Sequence, residues 1–310
     1  MAESVKVAYV FPGQGAQSVG MGLDLYHGFA SAKAVFDQAD KALGFSLSRL
    51  CFEGPEDELR QTINAQPAIV TTSFACLEAC REVGVGLPPA SFVAGHSLGE
   101  YTALAASGVL DFADVVSLAR ERGRLMHEAG QMTPGGMAAI IGLDEAPLSE
   151  LCAETGAQIA NINCPGQIVI SGAEDNLNQA VELAKSRGAH RVIPLQVSGA
   201  FHTPLMQPAV DGMAKAIAKI SFNDPTTPII GNTIAQPLAT APAVKEELLY
   251  QLCNCVQWQR SVEYMIGDGV SVFIEIGPGK VLAGLIKRID RNVKILNIGD
   301  AESARNFSVD

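Results

Sequence analysis

The hydrophobic positions of this chain fall into two patterns, short continuous runs and runs with helical spacing. Val5–Phe11 and Val270–Ile276 are near-continuous apolar runs, as expected of strands buried on both faces of a parallel sheet. Apolar residues with helical spacing occupy Ala30–Leu43, Pro67–Val83 and a segment from Asp111 to about residue 129. This mixture of strands and helices predicts an α/β fold with a parallel central sheet.

The middle of the chain has its own order of elements. Strands are predicted at Met137–Leu143, Gln158–Asn163, Gln167–Ser171 and Arg191–Val197, with helices at Ala146–Glu154 and Glu174–Arg187. The order β-α-β-β-α-β is that of a ferredoxin-like unit. We therefore expect a ferredoxin-like small subdomain over residues 131–199, inserted into a larger α/β subdomain made of residues 1–130 and 200–310. The last residues, 300–310, are expected to form a loose tail.

A G-x-S-x-G motif stands between a predicted strand and a predicted helix. The motif is Gly95-His96-Ser97-Leu98-Gly99, with an apolar run before it and good helix formers after it. A tight turn of this kind presents its serine at the N-terminus of a helix, where backbone N–H groups stabilise developing negative charge. Ser97 is therefore the candidate nucleophile for acyl transfer. The simpler alternative is a serine that only caps the following helix.

A serine nucleophile needs a base, and the chain offers five histidines: His27, His96, His127, His190 and His202. His202 follows the last predicted strand of the small subdomain, on a loop at the junction of the two subdomains, where a cleft is expected. The alternative for any single histidine is a structural role. No acidic residue between Ser97 and His202 stands in a marked context. We therefore predict a Ser-His dyad, for which a backbone carbonyl is a sufficient acceptor.

Arg122 lies on the apolar face of its predicted helix. Val115, Leu118, Ala119 and Met126 share that face, so the guanidinium is predicted to point into the protein. A buried guanidinium requires partners, and a carboxylate suits it best. Two alternatives follow, an internal salt bridge or an acyl substrate that carries its own carboxylate.

Composition narrows the class of protein. The net charge of −11 argues against a general nucleic-acid binder. No apolar segment reaches the roughly 18 residues of a membrane span, and no signal peptide is visible in the first residues. Seven irregularly spaced cysteines do not form a disulfide framework, and no second pair complements Cys76 and Cys80 as zinc ligands. We expect a cytoplasmic protein without a metal.

Taken together, the motifs resemble those of the malonyl-CoA:acyl carrier protein transacylase family, over nearly the full chain. They are Phe11-Pro12-Gly13-Gln14-Gly15, the elbow from Gly95 to Tyr101, Arg122-Gly123, Asn163-Cys164-Pro165-Gly166-Gln167, Gly199-Ala200-Phe201-His202, Val256-Gln257-Trp258 and Glu275-Ile276-Gly277-Pro278-Gly279-Lys280. The resemblance implies a hydrolase-like large subdomain interrupted by a ferredoxin-like small one. It also implies malonyl-CoA and acyl carrier protein as partners, and no cofactor.

The resemblance also implies roles for individual residues. Ser97 would be acylated by malonyl-CoA, and His202 would take its proton. The backbone N–H groups of Gln14 and Leu98 would form the oxyanion hole. Gln257 would supply the acceptor that orients the histidine, through its backbone.

Two further roles concern the acyl group that the family accepts. Arg122 would bind the free carboxylate of the malonyl group. Related acyltransferases that accept a branched unit tend to carry a small residue before the histidine. The bulky Phe201 at this position therefore resembles the malonyl-selective form, and we expect methylmalonyl-CoA to be a poor substrate.

Three other functions stay open on the sequence alone. A serine thioesterase would share the dyad but would not need an inward Arg122. A stand-alone acyltransferase that serves a polyketide synthase would differ only in its carrier. A non-catalytic carrier-docking protein would not need an intact dyad. We expect a monomer, with a local basic patch for the acidic carrier that draws on Arg187, Arg191, Lys280, Lys287 and Arg288.

Overall fold

A computed structural model describes residues 5–84 and 86–308. Its strands, in chain order, are β1 (Lys6–Phe11), β2 (Ala90–Gly95), β3 (Gly135–Ile141), β4 (Gln158–Cys164), β5 (Gln167–Ala173), β6 (Arg191–Pro194), β7 (Ile229–Ile230), β8 (Pro237–Leu238), β9 (Val270–Ile276) and β10 (Lys294–Ile298). Residues 1–4 and 309–310 lie outside the described part. The expectation that the chain has no signal peptide rests on the first of these segments.

The helices surround two sheets formed by these strands. They are α1 (Leu23–Gly28), α2 (Ala30–Leu43), α3 (Leu47–Glu53), α4 (Glu56–Arg60), α5 (Thr62–Val83), α6 (Gly99–Ala106), α7 (Phe112–Met132), α8 (Glu145–Thr155), α9 (Glu174–Ser186), α10 (Gln207–Ile217), α11 (Ala241–Tyr250), α12 (Trp258–Gly267), α13 (Val281–Ile289) and α14 (Ala301–Arg305). In the described part of the chain, no helix combines the length and the apolar composition needed to cross a membrane.

The central sheet has six strands in the order β10-β9-β1-β2-β7-β8. All neighbouring pairs are parallel except β7 and β8 at one edge. Strand β9 is almost entirely buried, as its continuous apolar run predicts. The predicted α/β fold with a parallel central sheet is therefore confirmed.

The second sheet is antiparallel, with the strand order β4-β5-β3-β6. Its strands and the helices α8 and α9 follow one another as β-α-β-β-α-β, which is the ferredoxin-like order. A hydrophobic cluster that includes Ile140, Leu148, Leu151 and Ile170 packs between this sheet and its helices. The subdomain boundaries at residues 130/131 and 199/200 stay predictions.

Helix α5 begins at Thr62, five residues before the predicted start at Pro67. A proline inside a helix has no N–H to donate to the carbonyl four residues earlier. Here the guanidinium of Arg120, on the neighbouring α7, donates to that carbonyl, at Ile63, over 2.9 Å. A tertiary contact thus lets the helix continue through the proline.

The end of the chain is more ordered than expected. Residues 301–305 form α14, so the prediction of a loose tail is wrong for this segment. Asp300 and Ser303 cap the helix reciprocally, and Ala301 and Ala304 are buried. Serine is not the usual partner in a capping box, so the sequence pattern did not reveal this helix.

The carboxyl ends of β1 and β2 lie side by side and carry the loops of the candidate site. Phe11 pairs with Gly95 at the end of the two strands. A side chain at Gly95 would put its Cβ 1.8 Å from the Gly99 backbone, and one at Gly99 would lie 2.1 Å from the Phe11 carbonyl oxygen. Only glycine permits this close packing of strand, turn and helix. The first loop and the elbow therefore meet at one edge of the sheet.

Candidate active site

Ser97 occupies the turn between β2 and α6 in a left-handed conformation, with φ of +49°. A residue other than glycine is strained there, so the surroundings must hold it. The Ser97 N–H donates to Oδ1 of Asn232 over 2.7 Å, and Nδ2 of Asn232 donates to the Gly95 carbonyl over 2.7 Å. Asn232, which follows β7, therefore clamps the elbow from both sides.

The Ser97 hydroxyl faces His202. Ser97 Oγ lies 2.8 Å from His202 Nε2, and His202 Nδ1 lies 2.8 Å from the main-chain carbonyl of Gln251. A carbonyl can only accept, so Nδ1 carries the proton and Nε2 has a free lone pair. Nε2 can therefore accept the hydroxyl proton of Ser97. The structure brings together the predicted nucleophile and the predicted base, 105 residues apart in the chain.

The acceptor that orients His202 is not Gln257, and this part of the prediction is wrong. The Gln257 N–H donates to the Asn232 carbonyl over 2.7 Å, so Gln257 supports the elbow clamp. The carbonyl that accepts from His202 Nδ1 belongs to Gln251, which lies just after α11. Every residue type has a main-chain carbonyl, so the sequence does not reveal which one accepts from His202. Only the backbone path of the folded chain identifies it.

Burial keeps His202 in its neutral form. The histidine is 4% exposed. Desolvation, and then the positive charge of Arg122, lower the pKa of His202 from 6.5 to about 3. The hydrogen bond to the Gln251 carbonyl acts in the opposite direction and is outweighed. The imidazole is thus poised to accept a proton near neutral pH.

Arg122 is almost completely buried, as its helix pattern predicts, and points at the nucleophile. Its Nη2 donates to Ser97 Oγ over 3.1 Å and to Gln251 Oε1 over 2.7 Å. Its Nη1 donates to Gln66 Oε1 over 3.0 Å, and Nε has no partner among the described residues. The guanidinium also lies over the Tyr101 ring.

The partners of Arg122 decide between the two alternatives for this residue. In residues 5–84 and 86–308, no carboxylate lies within salt-bridge distance of the guanidinium. Its direct acceptors are two neutral amides and the serine hydroxyl. The internal salt bridge is therefore not formed, and the guanidinium has donors left for an anionic ligand.

Two backbone N–H groups flank the nucleophile. Those of Gln14 and Leu98 donate to no protein acceptor in the described part of the chain. A side chain at Gly13 would put its Cβ 2.4 Å from the His96 carbonyl oxygen, so the first loop packs directly on the elbow. This contact puts the Gln14 amide beside the turn that carries Leu98.

A cavity of about 230 Å³ opens over Ser97, between the two sheets. The large unit contributes Ser97, Arg122, Phe201 and His202 to its wall, and Phe201 is 4% exposed. The side facing the small sheet presents both apolar and amide side chains: Met137, Ala139, Asn161, Asn163, Gln167, Val169, Leu195 and Val197. Such a mixed wall suits a thioester with amide groups along its arm.

His96 does not take part in the dyad. It also lines the cavity, and its Nε2 lies 2.8 Å from Oδ1 of Asn163. Burial lowers the pKa of His96. The residue thereby braces the elbow against β4 of the small sheet.

Four polar residues of the site escaped the sequence analysis: Gln66, Glu100, Asn232 and Gln251. Their roles depend on contacts between distant parts of the chain, 56 to 154 residues apart for the hydrogen bonds of Gln66 and Gln251 to Arg122 and Ser97. One signal was available for Asn232. It follows a buried strand at the carboxyl edge of a parallel sheet, where ligand sites occur.

Cysteines and metal-ligating side chains are the other groups that could carry chemistry. All seven cysteines are free, five of them buried. Among the described residues, no group of three or more His, Cys, Asp or Glu side chains is arranged to hold a metal ion.

Comparison with known proteins agrees with this geometry. A family model described as acyl transferase domain matches residues 8–304. The malonyl CoA-acyl carrier protein transacylase of Bacillus subtilis (strain 168) is 46% identical over 303 residues, which cover 96% of this chain and 95% of the relative.

Solved structures agree as well. The acyl-carrier-protein-S-malonyltransferase of Bartonella henselae superimposes with a TM-score of 0.94 at 41% identity, over 97% of each chain. A malonyl transacylase solved in complex with a type II polyketide synthase acyl carrier protein has a TM-score of 0.92 at 39% identity, over 96% of this chain and 98% of that one. The chain belongs to the acyl transferase domain family, among the malonyl CoA-acyl carrier protein transacylases.

Proposed function

We propose that this protein transfers the malonyl group of malonyl-CoA to the phosphopantetheine thiol of acyl carrier protein, through an acyl-enzyme on Ser97, and so supplies fatty acid elongation. One observation carries the proposal. Ser97 Oγ is in contact with both His202 Nε2 and Arg122 Nη2. The nucleophilic oxygen is therefore in contact both with its base and with a cation that can bind a substrate carboxylate.

The first half-reaction forms the acyl-enzyme. Ser97 Oγ attacks the thioester carbonyl while its proton passes to His202 Nε2. The N–H groups of Gln14 and Leu98 receive the oxyanion, and loss of one such donor typically costs about 3 kcal/mol. The C–S bond then breaks, and His202 gives its proton to the departing CoA thiolate.

The second half-reaction reverses these roles. The carrier thiol gives its proton to His202 Nε2, and its sulfur attacks the acyl carbonyl. The tetrahedral intermediate collapses, the bond to Ser97 Oγ breaks, and His202 returns the proton to that oxygen. This is ping-pong transfer between two thiols, and we propose that it requires no cofactor.

Arg122 selects the acyl group. Nη1 of the buried guanidinium has only one acceptor, and Nη2 donates to Gln251 and to the Ser97 hydroxyl. A carboxylate that takes the place of the hydroxyl can therefore receive two parallel hydrogen bonds, one from each Nη. An acetyl group offers no such partner and would leave these donors unpaired. A thioesterase would have no use for this arrangement, which is why a malonyl transferase is favoured.

The carrier is proposed to dock beside α13. Residues of the first turns of this helix, including Leu282 and Leu285, line the cavity, and its last turn carries the exposed Lys287 and Arg288. Arg288 donates to Gln167, another residue of the cavity wall, over 2.9 Å. Arg187, in contrast, is paired with Glu154, so it is less available to an acidic carrier.

A second candidate function is malonyl transfer to the acyl carrier protein of a polyketide synthase. The solved complex of a relative holds a type II polyketide synthase carrier. The same site in this chain could serve such a carrier, with unchanged chemistry. For the compartment, we propose the cytoplasm, since free and mostly buried thiols fit a reducing environment.

Transfer and hydrolysis can be separated directly. Wild-type enzyme and Ser97→Ala are mixed with malonyl-CoA and either holo-acyl carrier protein or buffer, and products are followed by chromatography. We expect wild type to form malonyl-carrier rapidly and free malonate only slowly, and Ser97→Ala to form neither. Parallel runs with fatty acid and polyketide carriers rank the two partners. Malonate release that is as fast as transfer would identify a thioesterase instead.

Phe201 is proposed to exclude a branched acyl group, because its ring lies in the cavity wall beside the nucleophile. We expect wild type to accept methylmalonyl-CoA poorly. Replacement by serine should raise the rate with methylmalonyl-CoA relative to malonyl-CoA by about 10- to 100-fold, the value of one methyl group in a pocket. Competition between the two thioesters, read by mass, measures this ratio. Equal rates in wild type would contradict the role of the ring.

The lowered pKa of His202 predicts an unusual pH profile. Acylation needs the neutral imidazole, so its rate should stay constant as the pH falls through 6.5 and drop only towards a pKa of about 3. Rapid-quench measurements of Ser97 acylation across this range test the profile. In the unfolded chain His202 binds a proton below about pH 6.5, whereas in the folded protein it does so only towards pH 3. The free energy of unfolding therefore decreases as the pH falls through this range. Circular dichroism at each pH therefore serves as the control, and a midpoint near 6.5 in folded protein would refute the shift.

A further inference from the structure

Glu100, in the first turn of α6, is a buried carboxylate that lies one residue beyond the elbow motif. Its Oε1 accepts hydrogen bonds from the Asn232 backbone N–H over 3.0 Å and from Asn232 Nδ2 over 3.1 Å. Its Oε2 accepts from Nε2 of Gln251. The carboxylate thus contacts the residue that clamps Ser97 and the residue that contacts Arg122 and His202.

The contacts of Glu100 fix the orientation of the Gln251 amide. Nε2 of Gln251 donates to Glu100 and, over 3.0 Å, to the Ser97 carbonyl, while Oε1 accepts from Arg122 Nη2. The reverse orientation would place the amide donor against a guanidinium donor and the amide oxygen against the Ser97 carbonyl oxygen. Two acceptors on one side and a cation on the other therefore impose a single orientation.

We propose that Glu100 is a positioning residue that, by fixing the Gln251 amide, sets the pose of Arg122 and thereby the preference for an acyl group with a terminal carboxylate. Glu100 does not touch the substrate in this proposal. The proposal rests on the proposed function, since it takes Arg122 as the group that binds the malonyl carboxylate.

The electrostatics of the site agree with a carboxylate that acts on Arg122 indirectly, through the Gln251 amide. Burial, and then the neighbouring Glu247, raise the pKa of Glu100 well above its usual range, although the donors on Asn232 and Gln251 and the charge of Arg122 act in the opposite direction. The protein groups that contact its oxygens are all donors, and this pattern suits the ionised form. In that form the carboxylate compensates Arg122 across an amide, and the guanidinium keeps its free donors for substrate.

Glu247 provides a matched control. It is also buried, and its carboxylate accepts from the Thr233 N–H over 2.7 Å and from the Thr233 hydroxyl over 2.6 Å. A glutamine at this position can still accept the N–H, and its amide can donate to the hydroxyl, which is also an acceptor. Its side chain makes no hydrogen bond to Gln251. A change there removes a buried charge and leaves every hydrogen bond of the Arg122 link in place. Without Glu247 the pKa of Glu100 is lower, which favours the form that accepts from Gln251.

The test compares rates of Ser97 acylation by malonyl-CoA and acetyl-CoA, measured by rapid quench and intact mass, in wild type, Glu100→Gln, Glu247→Gln and Arg122→Ala. In Glu100→Gln the oxygen of the new amide still accepts from Asn232, but its NH2 group faces the NH2 group of Gln251. The Gln251 amide must therefore turn away from Arg122. We expect the malonyl-to-acetyl rate ratio to fall by about tenfold or more, the value of one hydrogen bond to a charged group. Glu247→Gln should keep the wild-type ratio.

A second variant covers the case in which Glu100→Gln does not fold, as thermal unfolding will reveal. Gln251→Met removes the same amide but keeps the main-chain carbonyl that orients His202, and it should lower the ratio in the same way. Equal loss of both rates in the folded variants would show a purely structural role and overturn the proposal.

The arms also separate this proposal from the proposed function. A ratio that is lost in Arg122→Ala but kept in Glu100→Gln and Gln251→Met overturns only the role of Glu100. A wild type that accepts both thioesters equally well contradicts the role of Arg122, and the proposal for Glu100 is then overturned with it.

Discussion

The hydrogen bond from the Ser97 N–H to Asn232 is the contact on which the rest of the site depends. It holds a non-glycine residue in a left-handed turn, and this turn aims the hydroxyl at both His202 and Arg122. Asn232 is held in turn by Glu100 and by the Gln257 N–H. The strain of the elbow is therefore balanced by hydrogen bonds from strands and helices that are distant in the chain.

The second constraint is a buried positive charge. Arg122 is held by neutral amides, and the carboxyl group of Glu100 acts on it through the Gln251 amide. A direct ion pair would have occupied the donors that a substrate carboxylate needs. Burial, and then this charge, keep His202 neutral. One guanidinium thus contributes to the choice of acyl group and to the protonation state of the base.

The parts of the site that depend on local pattern could be predicted from the sequence. Ser97 stands in a strand–turn–helix context, and Arg122 lies on an apolar helix face, so both follow from spacing. The acceptor for His202 could not be predicted, because Gln251 acts through its backbone and 49 residues away. In the fold, the early start of α5 depends on a guanidinium from another helix. Contacts between distant segments are what local periodicity does not encode.

The central claim is that Ser97 carries the acyl group between the two thiols. Intact-protein mass after brief mixing of the wild type with malonyl-CoA and an acid quench tests this claim most directly, with Ser97→Ala as the control. The account predicts a mass gain of one malonyl group on wild type alone, lost again when holo-acyl carrier protein is added. A wild type that gains no mass while carrier is malonylated, or a Ser97→Ala protein that gains the same mass, would contradict it.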